Sequence, residues 1–160
     1  MTDLAADIAR PHKGHVEEQS YGLVGYTNYQ AGSAGYTVRK GAPMILDVSD
    51  VDGYAQPLLS AITPAAGDVF LGLAAEGKVI GSTDTADGAK RILVQRCGLF
   101  GFPKGSITVT DIGAPAYMSD SNVVTTTSTD NLWIGTIINV DDSYVWVDIG
   151  HAAGRANTAT

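Results

Sequence analysis

Short runs of β-branched and aromatic residues, each closed by turn residues, constrain the fold of this chain more than any other feature. Residues 69–74, 91–95 and 144–149 are examples, and pairs such as Asp87-Gly88 separate them. Runs of this length and composition are typical of β-strands. Only residues 57–62 resemble a helix, of one or two turns. The pattern predicts a mainly β chain, folded as a barrel or a sandwich.

The order of these runs indicates that one β unit occurs twice. Three features recur in the same order: a Gly-Ala-Pro turn before a strand (41–43 and 113–115), an aromatic-x-Gly strand (70–72 and 133–135) and a closing strand (92–94 and 145–147). We therefore predict two related copies, at about residues 36–96 and 105–149, within one β domain of residues 36–150. Packed face to face, they would bury both inner faces. Residues 151–160 are small and polar, and are expected to form a frayed tail.

Residues 1–35 lack this β pattern. The first twenty are polar, and residues 21–35 place Tyr21, Tyr26 and Tyr29 among several glycines. Tyrosine contributes much contact area for little rotamer entropy and is enriched at interfaces. The segment is predicted to be an extended, partly flexible N-terminal arm whose tyrosines bind a protein surface. A loop with its rings folded onto the domain is the alternative.

Composition disfavours several classes of function. The net charge is −7 and only 17% of residues are charged, so the basic surface needed for nucleic-acid binding is missing. No apolar run approaches the roughly 20 residues of a membrane span, and no signal peptide is recognisable at the N-terminus. Cys97 is the single cysteine, which excludes an intrachain disulfide. We expect a chain made in a cytoplasm, with no nucleic-acid or membrane partner.

One motif resembles a phosphate-binding loop. Residues 72–78 satisfy G-x4-G-K, but Val79 follows where the motif requires Ser or Thr to hold magnesium. A phosphate-binding loop also joins a strand to a helix, whereas Lys78 begins a predicted strand. A β-turn is the preferred interpretation, and a nucleotide-dependent enzyme is the less favoured alternative.

No metal or catalytic site is predicted. His12 and His15 have a helical metal-binding spacing but no further ligand, and Asp50 with Asp52 fits a calcium loop incompletely. His151 is the only histidine near the end of the β domain, and no nucleophile motif accompanies it. We expect no cofactor, no metal and no catalytic residue, and thus not an enzyme.

Three large aromatic residues are predicted to anchor the core. Phe70, Trp133 and Trp146 each lie in a β-like run, where a ring is most often buried. The alternative for the two tryptophans is sugar binding by stacking on an exposed ring.

The second copy resembles a family of small tailed-phage head proteins, several of which are similar to capsid decoration (cement) proteins. The resemblance is carried by residues 112–120 (IGAPAYMSD), 123–127 (VVTTT), 131–136 (NLWIGT) and 145–147 (VWV). It covers residues 105–149 well and residues 36–96 only loosely, and residues 1–35 match nothing in the family.

The resemblance implies a β module on the outer capsid surface of the virion, bound to the major capsid protein lattice and bridging capsomers. It also implies a homotrimer whose N-terminal arm orders on the shell. Deletion of residues 1–35 is accordingly expected to abolish capsid binding and leave the β domain folded. A carbohydrate- or host-surface-binding module displayed on the virion is the alternative.

Overall fold

The computed structural model describes residues 7, 9–14, 16–26, 28–29, 35–49, 53–59, 62–118, 120 and 122–157. Fourteen strands are present within these ranges: β1 His12–Lys13, β2 Glu18–Gly22, β3 Tyr36–Val38, β4 Pro43–Leu46, β5 Gln56–Pro57, β6 Val69–Ala74, β7 Lys78–Ile80, β8 Arg91–Gln95, β9 Leu99–Pro103, β10 Pro115–Met118, β11 Val124–Thr125, β12 Leu132–Val140, β13 Tyr144–Asp148 and β14 Arg155–Ala156. The one helical element of the described chain is a 3₁₀ turn, Val109–Asp111. The predicted mainly β class is confirmed.

The strands form two large antiparallel sheets and one small one. The first large sheet has the order β2-β8-β6-β4-β5, with β14 added on β6, and the second has the order β1-β9-β13-β12-β10-β11. Strands β3 and β7 pair separately. The inner faces of both large sheets contribute to one apolar core, which includes Phe70, Ile92, Phe100, Phe102 and Val147. The arrangement is sandwich-like, and the sheets do not close into a barrel.

The strand registers are alike in the two regions that the sequence groups as copies. Equivalent residues pair in each copy: Met44–Gly72 and Ala116–Gly135, Ile45–Phe70 and Tyr117–Trp133, Leu73–Gln95 and Thr136–Asp148. The β4–β6 register shifts between Met44 and Ile45, and the β10–β12 register shifts at the equivalent place. A β-bulge kinks a strand at one defined point, so a shared bulge indicates a shared geometry.

The Gly-Ala-Pro turns are also equivalent. The N–H of Gly41 donates to the carbonyl oxygen of Ala74 at 2.8 Å, and the N–H of Gly113 donates to that of Ile137 at 2.8 Å. Both glycines have a positive φ, +87° and +91°. This conformation is easily reached without a Cβ atom, which explains why the turn needs glycine in both copies.

The equivalence extends beyond the predicted copies, to β2 and β9. β2 pairs with β8 from Glu18–Gln95 to Gly22–Arg91, and β9 pairs with β13 in the same register. We therefore place copy 1 at residues 18–95 and copy 2 at residues 99–148. In place of a separate arm, residues 18–22 form a strand of copy 1, and the next two, Leu23 and Val24, are buried in the core. Deletion of residues 1–35 would remove this strand, so that truncation cannot separate binding from folding.

The segment before β2 joins the two copies. The buried Arg10 donates from Nε to the carbonyl oxygen of Gly41 in copy 1 at 2.8 Å, and its guanidinium lies 4.2 Å from the ring centroid of Phe102 in copy 2. Burial lowers the pKa of Arg10 to about 10, so the side chain stays charged at neutral pH. β1 then adds to the edge of β9.

The C-terminal segment is packed where a frayed tail was expected. β14 pairs with β6, Ala152 is fully buried and Asn157 is 4% exposed. The Asn157 side chain donates from Nδ2 to the carbonyl oxygens of Ala65 and Asn131 at 3.1 Å each. These bonds connect the two copies, and a composition of small residues gives no local sign of them. Residues 158–160 lie outside the described chain.

Candidate functional site

The three tyrosines predicted to bind a surface contact the core of copy 1. Tyr21 lies in β2 opposite Ile92. Tyr26 is half-buried, and Tyr29 is 6% exposed with its ring centroid 4.1 Å from that of Tyr36. These positions match the alternative of rings folded onto the domain.

The three aromatic residues predicted to anchor the core differ in burial. Phe70 is fully buried and Trp146 is 6% exposed, whereas Trp133 is half-buried. The indole N–H of Trp133 donates to the carbonyl oxygen of Gly135 at 2.9 Å. That of Trp146 donates to Asp141 Oδ2 at 2.8 Å. Because the Trp146 ring is covered, a sugar could stack on it only after a rearrangement.

The G-x4-G-K motif joins two strands. Gly72 lies inside β6, and Lys78 begins β7, which confirms the predicted strand. Glu76 lies between them, with its carboxylate 3.8 Å from Lys78 Nζ and accepting from the backbone N–H of Leu93 at 3.2 Å. The strand-to-helix geometry of a phosphate-binding loop is absent from this described segment.

The remaining candidate residues are dispersed. His12 lies in β1 with its ring centroid 5.9 Å from that of Phe100, and His151 Nδ1 lies 4.0 Å from Asp148 Oδ2. His15, Asp50 and Asp52 lie outside the described residues. Within the described ranges no three His, Cys, Asp or Glu side chains are grouped to bind a metal ion. Nor does that part of the chain contain a helix with the length and hydropathy to cross a membrane.

Three exposed aliphatic side chains lie on adjoining backbone segments of copy 2. Val109, in the 3₁₀ turn, is 65% exposed, Ile112 is 48% exposed, and Ile138, in β12, is 45% exposed. The backbone brings these segments together, because the N–H of Gly113 donates to the carbonyl oxygen of Ile137. We call Val109, Ile112 and Ile138 the copy-2 apolar patch. Isolated exposed apolar residues are common, but a group of three on adjoining segments is a candidate contact surface.

Local hydrogen bonds hold Val109 on the surface. The backbone N–H of Thr108 donates to Asp111 Oδ2 at 2.8 Å, and the N–H of Asp111 donates to the carbonyl oxygen of Thr108 at 3.0 Å. The first bond caps the N-terminus of the turn, and the second is the backbone i to i+3 bond of the 3₁₀ turn itself. The patch is therefore presented by a defined backbone.

Copy 1 has no counterpart of the patch. By the register of the repeat, Thr37, Lys40 and Ala75 occupy the equivalent positions. These three residues are polar or small, and Thr37 lies in β3, which pairs with β7. The apolar character is thus particular to copy 2. The sequence carries one signal of this difference. When the two copies are aligned at their Gly-Ala-Pro turns, Lys40 stands in copy 1 where Ile112 stands in copy 2.

An acidic turn follows β12 on the way to β13. Asp141 accepts the indole N–H of Trp146 at 2.8 Å and the backbone N–H groups of Ser143 and Tyr144 at 2.9 and 2.7 Å. These donors, with a smaller contribution from the charge of Lys13, hold the pKa of Asp141 below its usual value. The carboxylate of Asp141 therefore has a structural role, because the three hydrogen bonds that it accepts stabilise the connection between β12 and β13.

Comparison with protein-family models, with curated proteins and with solved structures finds no match to this chain.

Proposed function

We propose that this chain is a phage capsid decoration (cement) protein, which binds the outer surface of the assembled head and stabilises contacts between capsomers. Two observations support the proposal. The resemblance to small phage head proteins is strongest over residues 105–149, and the copy-2 apolar patch lies in the same copy. The patch carries the argument, because Val109, Ile112 and Ile138 are exposed where copy 1 has polar or small residues.

The patch can supply useful affinity without any covalent chemistry. Full burial of one Val or Ile side chain stabilises a complex by roughly 1.5–3 kcal/mol, so three of them contribute several kcal/mol before the costs of association. A protein that binds the assembled lattice and not its separated subunits stabilises that lattice by mass action. In a homotrimer, three linked patches would raise the avidity through effective concentration.

The proposed partner is the major capsid protein lattice, and the proposed location is the outer surface of the virion. The low charge of the chain suits this role, because desolvating charged groups at an interface is costly. The proposal requires no metal, cofactor or nucleic acid.

Co-sedimentation with expanded phage heads that lack the protein tests the proposal. We expect saturable binding of the wild-type chain at a fixed ratio to capsomers, with a trimeric mass in solution. The double variant Ile112→Lys, Ile138→Lys should bind at least tenfold more weakly, because two charged groups would have to be desolvated. Val79→Lys is the matched control, since Val79 is 57% exposed but lies in β7 of copy 1.

Equal binding by the double variant and the wild-type chain would contradict the assignment of the patch. Failure of the wild-type chain to bind heads would overturn the decoration function and favour a carbohydrate or host-surface ligand. Circular dichroism of each variant, compared with that of Val79→Lys, checks that folding is retained.

A further inference from the structure

The equivalent edge strands of the two copies differ in what covers them. In copy 2, the outer edge of β9 is covered by β1, where His12 pairs with Phe100 and the N–H of Gly101 donates to the carbonyl oxygen of Pro11 at 2.8 Å. In copy 1, the edge strand is β2, and Ser20 is the equivalent of Gly101. Within the described ranges, no strand pairs with the outer edge of β2 from Glu18 to Ser20.

The backbone of β2 directs hydrogen-bonding groups outward at this edge. The main chains of Glu17 and Leu23 bond with Arg96 and Lys90, the residues on either side of β8, which sets the alternation along β2. Glu18 and Ser20 therefore point their main-chain groups away from β8. The carbonyl oxygen of Ser20 accepts from Arg91 Nη2 at 3.2 Å. Because Pro11 has no N–H, the equivalent contact in copy 2 uses only the N–H of Gly101. A Cβ atom on Gly101 would lie 2.8 Å from Pro11 Cγ, so a segment bound beside Ser20, which has a Cβ atom, needs a smaller residue at the position of Pro11.

The side chains beside the two edges show the same difference. Trp146 in β13 is only 6% exposed, and Lys13 Nζ lies 4.4 Å from its ring centroid. Its equivalent in copy 1 is Leu93, which is 39% exposed. An added strand buries this position in copy 2, and the corresponding apolar side chain of copy 1 is left exposed.

The charged residues at the outer edge of β2 indicate which kind of segment would bind there. In copy 2, Lys13 lies opposite Leu99. The equivalent of Leu99 in copy 1 is Glu18, which is exposed, next to the exposed Glu17. Opposite charges facing each other across antiparallel strands are stabilising, so a strand with a basic residue at the position of Lys13 matches this edge.

The chain's own N-terminal strand is a poor occupant of the same edge in a second copy. Arg10, which precedes β1, is 7% exposed, bonds to Gly41 and lies over the ring of Phe102. Releasing β1 from β9 would break these contacts and uncover Trp146. The occupant is therefore a segment of a different protein.

We infer that the outer edge of β2 binds an extended segment of a partner protein by strand addition, with a Lys or Arg opposite Glu18 and its aliphatic stem on Leu93. Exposed sheet edges are common sites of strand addition, in which main-chain bonds give affinity and side chains give specificity. This site goes beyond the proposed decoration function, because it lies in copy 1 and does not depend on the copy-2 apolar patch.

An NMR titration of the isotopically labelled full chain tests the inference. The probe is a synthetic hexapeptide of residues 9–14, the segment that occupies the equivalent edge in copy 2, with Pro11→Gly to make room for the Cβ atom of Ser20. We expect amide shifts centred on Glu18 and Ser20 at millimolar peptide, and slower hydrogen exchange of the Ser20 N–H. Ser20→Pro removes the outward N–H donor and the bond from Arg91 Nε to Ser20 Oγ, but no main-chain bond to β8, and should weaken binding at least tenfold. Ser20→Ala, which keeps the N–H, is the matched control and should bind like the wild-type chain.

A second pair of variants covers the outcome in which Ser20→Pro does not fold. Glu18→Lys should weaken binding at least tenfold, whereas Glu17→Lys, on the opposite face of the strand, should change it less than threefold. A peptide carrying Lys13→Glu should bind the wild-type chain at least tenfold more weakly. Absence of any localised shift at millimolar peptide would overturn the inference. Shifts at Leu99 and Gly101 would also overturn it, because they would indicate exchange of β1 and thus self-association.

Discussion

Gly72 and Gly135 occupy equivalent positions in the two copies, and at each position a backbone carbonyl of the neighbouring strand leaves no room for a Cβ atom. A Cβ atom on Gly72 would lie 2.1 Å from the carbonyl oxygen of Gln95, and one on Gly135 would lie 2.1 Å from that of Asp148. Their φ angles are +133° and +152°. Each glycine lets a bulged strand approach its neighbour closely, so the repeat is conserved at the level of single backbone contacts.

Replacement of either glycine by alanine should destabilise the fold by about 3 kcal/mol or more, because the backbone must separate and the positive φ is strained. Gly113→Ala is the control, since its φ is +91° but no atom lies within 4 Å of an added Cβ. It should cost only the conformational penalty of about 1–2 kcal/mol. Urea denaturation measures all three. Equal midpoints for Gly72→Ala, Gly135→Ala and Gly113→Ala would show that the close approach is not needed.

Asn157 is predicted to stabilise the contact between the copies. In Asn157→Ala the carbonyl oxygens of Ala65 and Asn131 lose their side-chain donor, which should cost about 2 kcal/mol or more in unfolding free energy. His151→Ala is the control in the same segment, because its side chain is exposed, and should change stability by less than about 0.5 kcal/mol. Thermal and urea unfolding of the two variants can be compared directly. A stability of Asn157→Ala within error of His151→Ala would contradict the bridging role.

The Asp141 turn should give an acid-side pH dependence. Its donors hold the pKa of Asp141 in the folded chain below the value of an unfolded aspartate. The stabilisation is therefore complete above the unfolded pKa of about 3.9 and is lost as the pH falls through the lower folded pKa. Because Trp146 donates to Asp141, tryptophan fluorescence should change over that acid range. Asp141→Asn should abolish this step. Persistence of the step in Asp141→Asn would assign it to another group.

The β class and the repeat were predictable because they depend on local patterns. Alternation of Ile92, Leu93 and Val94 places one side chain outward between two buried ones, as a period of two requires. The turns at Gly41 and Gly113 need a glycine for their positive φ. Such signals depend on only a few neighbouring residues, and they were sufficient to align the two copies.

The second strand and the C-terminal segment were not predictable in this way. Glu18–Gly22 has no apolar alternation, and it is a strand because its backbone bonds to β8, far along the chain. Asn157 is buried because its amide meets carbonyl groups of both copies. The copy-2 apolar patch was not predicted, because the exposure of Val109, Ile112 and Ile138 depends on tertiary packing.

The sequence by itself determined that this chain is mainly β, that its turns require glycine and that one unit is repeated, because period, turn chemistry and composition act within a few residues. Only the tertiary structure decided that residues 18–22 belong to copy 1, that β1 covers the edge of β9, and that no strand of the described ranges pairs with the equivalent edge at Ser20. Those outcomes depend on hydrogen bonds and burial between segments distant in the chain, which no local pattern specifies.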